Sequence, residues 1–216
     1  MDYKGICLRA TNYKDKDKLL TVATFERGII TVSAKGVRSP KAKLCAGCMP
    51  LVFGEFGVTE TKSGFVLTGI NIEESFRNCW TDTARNLAAM LVLETTEKVC
   101  IRGEDISYEL LLALKALQEI NYSAAYPFTA AVWFLLEILK YVGVDYSIED
   151  IPQGARKVLD ALSAVSAEDS GTLELHTADI DTALFYLDLI AKNRLSLNLF
   201  IIKEIYAFAN SGSLTP

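Results

Sequence analysis

The sequence predicts two units of different class: an all-β five-stranded barrel over residues 1–78, then an all-α helical domain over residues 79–216. Three observations predict it. Up to about residue 74, short apolar and β-branched runs alternate with glycine-marked turns, the pattern of strands and hairpins. After Ser75 the apolar residues recur at three and four instead, the helical period. Charge also changes sign. Residues 1–80 hold twelve Lys and Arg against eight Asp and Glu, a net of +4, whereas residues 81–216 hold ten against nineteen, −9, and together they give the net −5.

The strands follow in order. Tyr3 to Ala10 alternates loosely and ends at a polar turn, Thr11-Asn12. Lys18 to Phe25 (KLLTVATF) and Gly28 to Ala34 (GIITVSA) are the second and third strands, with Glu26-Arg27-Gly28 as the turn between them. Gly28 supplies the positive φ that a tight hairpin needs. Leu51 to Thr61 and Gly64 to Glu73 form the last pair, split by Lys62-Ser63-Gly64. Gly54 and Gly57, inside LVFGEFGV, fit bends or bulges. Five short strands close best into a small barrel, because closure removes exposed edges. A barrel of about seventy residues has the size of an OB-fold, a fold that often binds single strands.

The helices come next. Thr81 reads as a cap, with Asp82 in the first turn of a helix from Ala84 to Val99. A second helix is expected from Glu104 to Ile120, with Leu110, Leu111, Leu114 and Leu117 on one face. Pro127 suits the first turn of a third, ending near Val142-Gly143. Its segment AAVWFLLEILKYVG is apolar nearly all round, which marks the central helix of the bundle. Further helices are expected at 154–164, 178–192 and 195–209, with a loop at 165–177 and a fraying polar tail from Asn210 to Pro216.

Composition sets the bounds. A chain of 216 residues, half of them hydrophobic, forms one or two packed domains and excludes wholesale disorder. No apolar run reaches the eighteen or so residues of a spanning helix, and Met1-Asp2-Tyr3-Lys4 lacks the pattern of a signal peptide. A cytoplasmic protein is the expectation. Five cysteines at irregular spacing are no secreted disulfide framework, and Cys7 and Cys100, in apolar surroundings, read as small hydrophobes.

The segment Lys35-Gly36-Val37-Arg38-Ser39-Pro40-Lys41-Ala42-Lys43 puts four cations in nine residues, and Gly36 and Pro40 mark it as a loop between the third and fourth strands. Four mobile cations at a barrel rim would neutralise phosphates and release counterions; the plainer reading is a solvated loop kept charged for solubility. In Tyr13-Lys14-Asp15-Lys16-Asp17-Lys18 the acids nearly cancel the bases, although Lys14, Lys16 and Arg9 would extend a basic face. Among the aromatics, Tyr3, Phe25, Phe53, Phe56 and Phe65 stand at apolar positions that favour the core, and Tyr13 in a polar turn is the exception. Cys45-Ala46-Gly47-Cys48 supplies only two of the four ligands a structural zinc needs, and no thioredoxin-like context surrounds it; packing or chance outweighs metal or redox chemistry. His176 is the only histidine, in a polar segment suited to a loop or cap, and neither a Walker loop nor G-x-G-x-x-G is present. Nothing argues for an enzyme or a cofactor.

With these residues in view, the stretch 3–77 resembles the RecO family of recombination mediators. GICLRA, the entry Tyr13-Lys14-Asp15-Lys16-Asp17-Lys18-Leu19-Leu20 with Asp15 where the family usually has Glu, Thr24-Phe25-Glu26-Arg27-Gly28, and Ala34-Lys35-Gly36-Val37-Arg38-Ser39-Pro40-Lys41 follow the family's order. Pro50-Leu51, Gly54-Glu55 and Glu74-Ser75-Phe76-Arg77 continue it. The resemblance implies an OB-fold with a helical domain behind it, a nucleoid-associated protein that binds single- and double-stranded DNA and anneals strands, and partnership with RecR and the single-strand DNA-binding protein so that the recombinase RecA can load. It makes Lys35, Arg38, Lys41 and Lys43 the leading phosphate contacts, with Arg9, Lys14 and Lys16 beside them. One departure stands out: many family members carry a four-cysteine zinc site in the helical domain, and here no cysteine follows Cys100. The competing readings are an RNA-binding barrel, a protein-interaction scaffold, and a hydrolase resting on His176 or a carboxylate pair.

Overall fold

A computed structural model describes residues 1–62 and 64–210; Ser63 of the expected last hairpin turn and residues 211–216 of the expected tail lie outside the described residues. The chain divides into two compact units: Met1–Phe76 with Thr96–Leu111, and Arg77–Thr95 with Leu112–Pro216.

In the first unit, five strands close into a barrel: β1 (Asp2–Tyr13), β2 (Asp17–Thr24), β3 (Gly28–Ala34), β4 (Phe53–Thr61) and β5 (Gly64–Glu74). They join in the order β1-β2-β3-β5-β4, with β4 back on β1. Every pair is antiparallel except β3 with β5, where Val32 meets Phe65 and Ser33 meets Val66. This is the OB-fold that the strand spacing predicts. β1 runs on to Tyr13, past the expected stop at Ala10, because Ala10 to Tyr13 ladder with Leu20 to Asp17; Thr11 and Asn12 simply point to solvent. The expected bends at Gly54 and Gly57 coincide with shifts of register in the β4–β5 ladder.

Alternation sorts the side chains. Leu20 and Val22 of β2, Ile30 and Val32 of β3 and Phe56 of β4 point inward with Tyr3 and Cys7 into one cluster. Each fully buried large apolar side chain contributes about 1.5–3 kcal/mol. Outward-facing residues of β2 and β3 are also buried: Thr21 at 5% exposure, Ala23 at 0% and Ile29 at 5%. The unit's return segment, residues 96–111, lies on this face. Arg102 Nη1 donates to Thr31 Oγ1 at 3.1 Å, and a Cβ on Gly28 would stand 2.6 Å from the Glu104 carbonyl oxygen.

The second unit is helical. Among the described residues the chain has eight α-helices: α1 (Asn78–Thr81), α2 (Thr83–Val99), α3 (Ser107–Tyr122), α4 (Pro127–Tyr141), α5 (Gln153–Ser163), α6 (Ala167–Ser170), α7 (Thr177–Leu195) and α8 (Ile201–Asn210). α4 is the central helix, with 11 of its 15 residues buried and packed against α5, α6 and α7; Trp133 Nε1 donates to the Val165 carbonyl at 3.1 Å. Several expectations need correction. Asp82, not Thr81, caps α2: its Oδ1 accepts from the Arg85 N–H at 2.8 Å, while the Thr81 hydroxyl donates back to Asn78. Leu111 is 49% exposed, one step off the buried face of Leu110, Ala113 and Leu117. The expected loop at 165–177 contains α6, started by Ser166, whose hydroxyl accepts from the Asp169 N–H. The last helix starts at Ile201, not 195, because Ser196 turns left-handed at φ 54° and ends α7. No helix among the described residues is long and apolar enough to cross a membrane.

Candidate nucleic-acid interface

Two connections form one end of the barrel. The β1–β2 turn is Lys14-Asp15-Lys16, three residues between the paired Tyr13 and Asp17. The β3–β4 connector, residues 35–52, folds as successive tight turns. The Ser39 N–H donates to Gly36 O at 3.0 Å, Ala42 to Ser39 at 3.0 Å and Cys45 to Ala42 at 3.4 Å, before a single 3-10 turn at Cys45–Gly47. Val37, Cys48 and Val52 sit in the barrel core and Leu44 packs against it. With its apolar residues turned in, the connector turns its cations out: Lys35, Arg38, Lys41 and Lys43 are exposed. The expected loop is thus a chain of tight turns anchored in the core.

The two connections are stapled together. Arg38 donates its N–H to Lys16 O at 2.9 Å, and its Nη1 to the carbonyl oxygens of Lys14 and Asp15, both at 3.2 Å. The Gly36 N–H donates to Asp17 Oδ1 at 2.8 Å, with Gly36 at φ +67°. Lys18 Nζ donates to Cys48 O at 2.9 Å. Two sequence-distant loops thereby become one surface. Among the described residues, none of Lys14, Lys16, Lys35, Lys41 and Lys43 forms an ion pair. Lys14 lies over the exposed Tyr13 ring, 5.2 Å from its centroid.

The sequence-expected residues therefore divide. Lys14, Lys16, Lys35, Lys41 and Lys43 are free cations on this rim, and Arg38 is there too, with one arm of its guanidinium engaged as the staple. Arg9 is elsewhere, on β1, where Nε and Nη2 clasp the Glu97 carboxylate and Nη2 approaches to 2.7 Å. That contact stabilises the charged guanidinium and neutralises it locally. Of the aromatics, Tyr3 and Phe56 are core residues, Phe65 packs edge-on against Tyr3, Phe25 and Phe53 are half-buried outside the core cluster, and Tyr13 is exposed at the rim. Lys18, as anchor of the connector, carried no sequence signal beyond its charge. OB-folds commonly bind strands over the β2–β3 face and adjoining loops; here Thr21, Ala23 and Ile29 of that face are buried while Thr31 is exposed, and the face carries no outward cation beyond the rim.

The opposite end of β2 and β3 is different. Its turn, Phe25-Glu26-Arg27, borders a hollow of about 550 Å³ that Gly28, Phe65 and residues 103–105 also line, so that the carboxylates Glu26, Glu104 and Asp105 share it with Arg27. Elsewhere, exposed His176 occupies the N-cap position of α7, Cys45 is exposed and Cys48 buried. Among the described residues no group of three or more His, Cys, Asp or Glu is placed to hold a metal ion.

Comparison with known proteins bears on this geometry. The family model described as "Recombination protein O N terminal" matches residues 1–76. The chain is similar to the DNA repair protein RecO of Clostridium perfringens, 30% identical over 140 residues that cover 64% of this chain and 56% of the relative. It is similar to that of Desulfitobacterium hafniense, 27% over 139 residues, 64% and 50%. To that of Syntrophomonas wolfei it is 23% identical over 170 residues, 79% and 67%. Over most of these matches the chain spans about half the length of the curated relative.

Proposed function

We propose that this chain is a member of the RecO family and a non-enzymatic DNA repair and recombination mediator whose barrel rim grips nucleic-acid backbone; the match of residues 1–76 to the family's N-terminal model and the similarity to its curated members support this. One observation carries the reading: the Arg38 staple joins two loops into a surface with five unpaired lysines. Lysines are point charges that suit phosphate oxygens and do not read base edges. Binding is therefore sequence-tolerant and salt-sensitive. Tyr13 beside Lys14 offers one stacking face, which suits single strands.

The finer roles follow from the same reading. Two strands held on lysine-rich rims repel each other less, which favours annealing. The helical unit holds nine Lys and Arg against fifteen Asp and Glu, so protein contacts suit it better than phosphates. RecR and the single-strand DNA-binding protein are the partners we assign to it, in support of loading the recombinase.

The test is a fluorescence-anisotropy titration of a single-stranded DNA oligonucleotide across a salt series. Four or five phosphate contacts give a slope of log affinity on log salt of about −3. A Lys14→Glu, Lys41→Glu double variant, one change in each stapled loop, flattens that slope by about one or more. An unchanged slope in the folded variant overturns the reading. Preference for a matched RNA oligonucleotide over DNA would transfer the rim to RNA.

A further inference from the structure

The cysteine pair of the connector is the motif that backbone binding leaves unused, and the structure gives its members different surroundings. Cys45 opens the 3-10 turn and is exposed; Cys48 follows it, 0% exposed, within the barrel core beside Cys7. The Cys48 N–H donates to the Cys45 carbonyl at 3.2 Å. A turn closed by this hydrogen bond holds the Cα atoms of residues three apart within ~7 Å, the separation a disulfide spans once the Cys48 side chain turns out of the core. The turn is fixed from both sides. A Cβ on Gly47 would stand 2.4 Å from Ile70 Cγ2, and Lys18 holds the Cys48 carbonyl. Lys41 and Lys43 precede Cys45, so an anionic reagent is drawn to the exposed thiol first.

We propose that Cys45 and Cys48 are a thiol–disulfide switch on the basic rim, closed by low-molecular-weight disulfides such as oxidised glutathione. In the first step the Cys45 thiolate attacks one glutathione sulfur, the glutathione S–S bond breaks, and one glutathione leaves as thiolate. In the second, the Cys48 thiol gives up its proton, its sulfur attacks Cys45 Sγ, and the second glutathione thiolate leaves. Two protein thiols are oxidised and one glutathione disulfide is reduced to two thiols. Burial pushes the Cys48 thiol up to about 11, with Lys18 pulling the other way, so the exposed Cys45 reacts first and Cys48 follows only as its sulfur leaves the core.

Closing the switch draws the Cys48 sulfur out of the core cluster that holds Val37 and Leu44, the residues that seat the cation-bearing turns. The oxidised rim is looser and grips fewer phosphates. This coupling rests on the function proposed above; the thiol chemistry does not.

The experiment uses the whole chain. After incubation with oxidised glutathione and quenching by alkylation, peptide mapping by mass spectrometry is expected to show Cys45 joined to Cys48, with no glutathione retained. Cys48→Ala is expected to stop at one glutathione on Cys45, and Cys45→Ser to take none at that turn. A chain that stays reduced, one that stops at the adduct, or one that joins Cys7 to Cys48 overturns the switch. The oxidised chain is then titrated with single-stranded DNA, where the salt slope is expected to be shallower by about one and to recover with dithiothreitol. An oxidised chain with the reduced chain's slope overturns the coupling. A reduced chain that binds no oligonucleotide overturns the proposed function instead, and the peptide map still decides the thiol pair.

Discussion

The two ends of the β2–β3 ladder are both met by three-residue turns, Lys14-Asp15-Lys16 at one and Phe25-Glu26-Arg27 at the other, yet they differ in what folds back on them. At the first, backbone carbonyls and the Asp17 carboxylate tie the turn to the connector, and the lysines are left over. At the second, Glu26, Glu104 and Asp105 line the same hollow as Arg27, whose Nε donates to the Tyr3 hydroxyl at 3.3 Å. The number of cations is a poor guide to a phosphate site; what matters is where the carboxylates go. Residues 1–80 hold a net of +4, but the barrel unit as folded, with Thr96–Leu111 included, has thirteen Lys and Arg against twelve Asp and Glu. Its positive potential is a property of one rim, not of the unit.

The sharpest way to break this comparison is through one glycine from each end. Gly28 has φ +62°, and a Cβ there meets the Glu104 carbonyl oxygen, a backbone atom, at 2.6 Å; Gly36 has φ +67° with nothing within 4 Å. Both Gly→Ala variants bear the left-handed penalty of roughly 1–2 kcal/mol. Gly28→Ala must also push residues 103–104 off the barrel, so its total is expected at about 3 kcal/mol by urea denaturation. Equal losses would mean that the return segment gives way freely. Next in size is the charge test. Lys14→Glu with Lys41→Glu is expected to weaken single-stranded DNA binding about tenfold at moderate salt, whereas Arg27→Glu at the carboxylate end leaves it within about twofold. Equal effects would erase the distinction between the ends.

A smaller effect isolates the staple. Asp17→Ala removes the acceptor of the Gly36 N–H and costs about 1 kcal/mol. It also removes a negative charge from the rim, which by charge alone would tighten DNA binding. If the geometry of the two loops matters, affinity falls instead. Tighter binding would show that the lysines act as a diffuse cloud and that their registration is irrelevant.

What the sequence reveals is what depends on near neighbours. β3 has the expected bounds, Gly28–Ala34, because alternation and a turn glycine are both local. The all-round apolar run of α4 reads as a central helix because burial on every side leaves no polar face. The cation-rich connector is plain in Lys35 to Lys43. Its ordering is not, because the Arg38 staple ends on backbone carbonyls, which every residue possesses. Distance hides the rest. Arg9 looks like a free cation until Glu97, 88 residues on, clasps it. The start of α8 is set by Glu94, whose carboxylate oxygens accept from the Phe200 and Ile201 N–H groups at 2.8 Å, more than a hundred residues away. Residues 96–111 belong with the barrel by contact alone, and they bring Glu104 and Asp105 to the second end.

The smallest expected effect concerns one of those acids. Asp105 Oδ1 accepts from the Ser107 N–H at 2.9 Å, and the Ser107 hydroxyl and amide together hold its carboxyl below the usual carboxylate range. A folded pKa lower than the unfolded one gives stability that is fully present above the unfolded value, about 3.9, and is lost as pH falls through the folded value. Asn keeps a capping oxygen but cannot ionise. The difference in urea midpoint between the parent and Asp105→Asn is therefore expected to favour the parent near neutral pH and to shrink as pH falls below the usual carboxylate range. A difference that survives in acid would mean that the carboxylate's charge contributes nothing and that Asp105 acts through shape alone. Asp105 is one of three carboxylates on the hollow that Arg27 shares, so its loss leaves Glu26 and Glu104 in place. Asp105→Asn is accordingly expected to leave the contrast in DNA binding between the two ends unchanged, and a new affinity at the Arg27 end would show that Asp105 was what kept that end closed to phosphate.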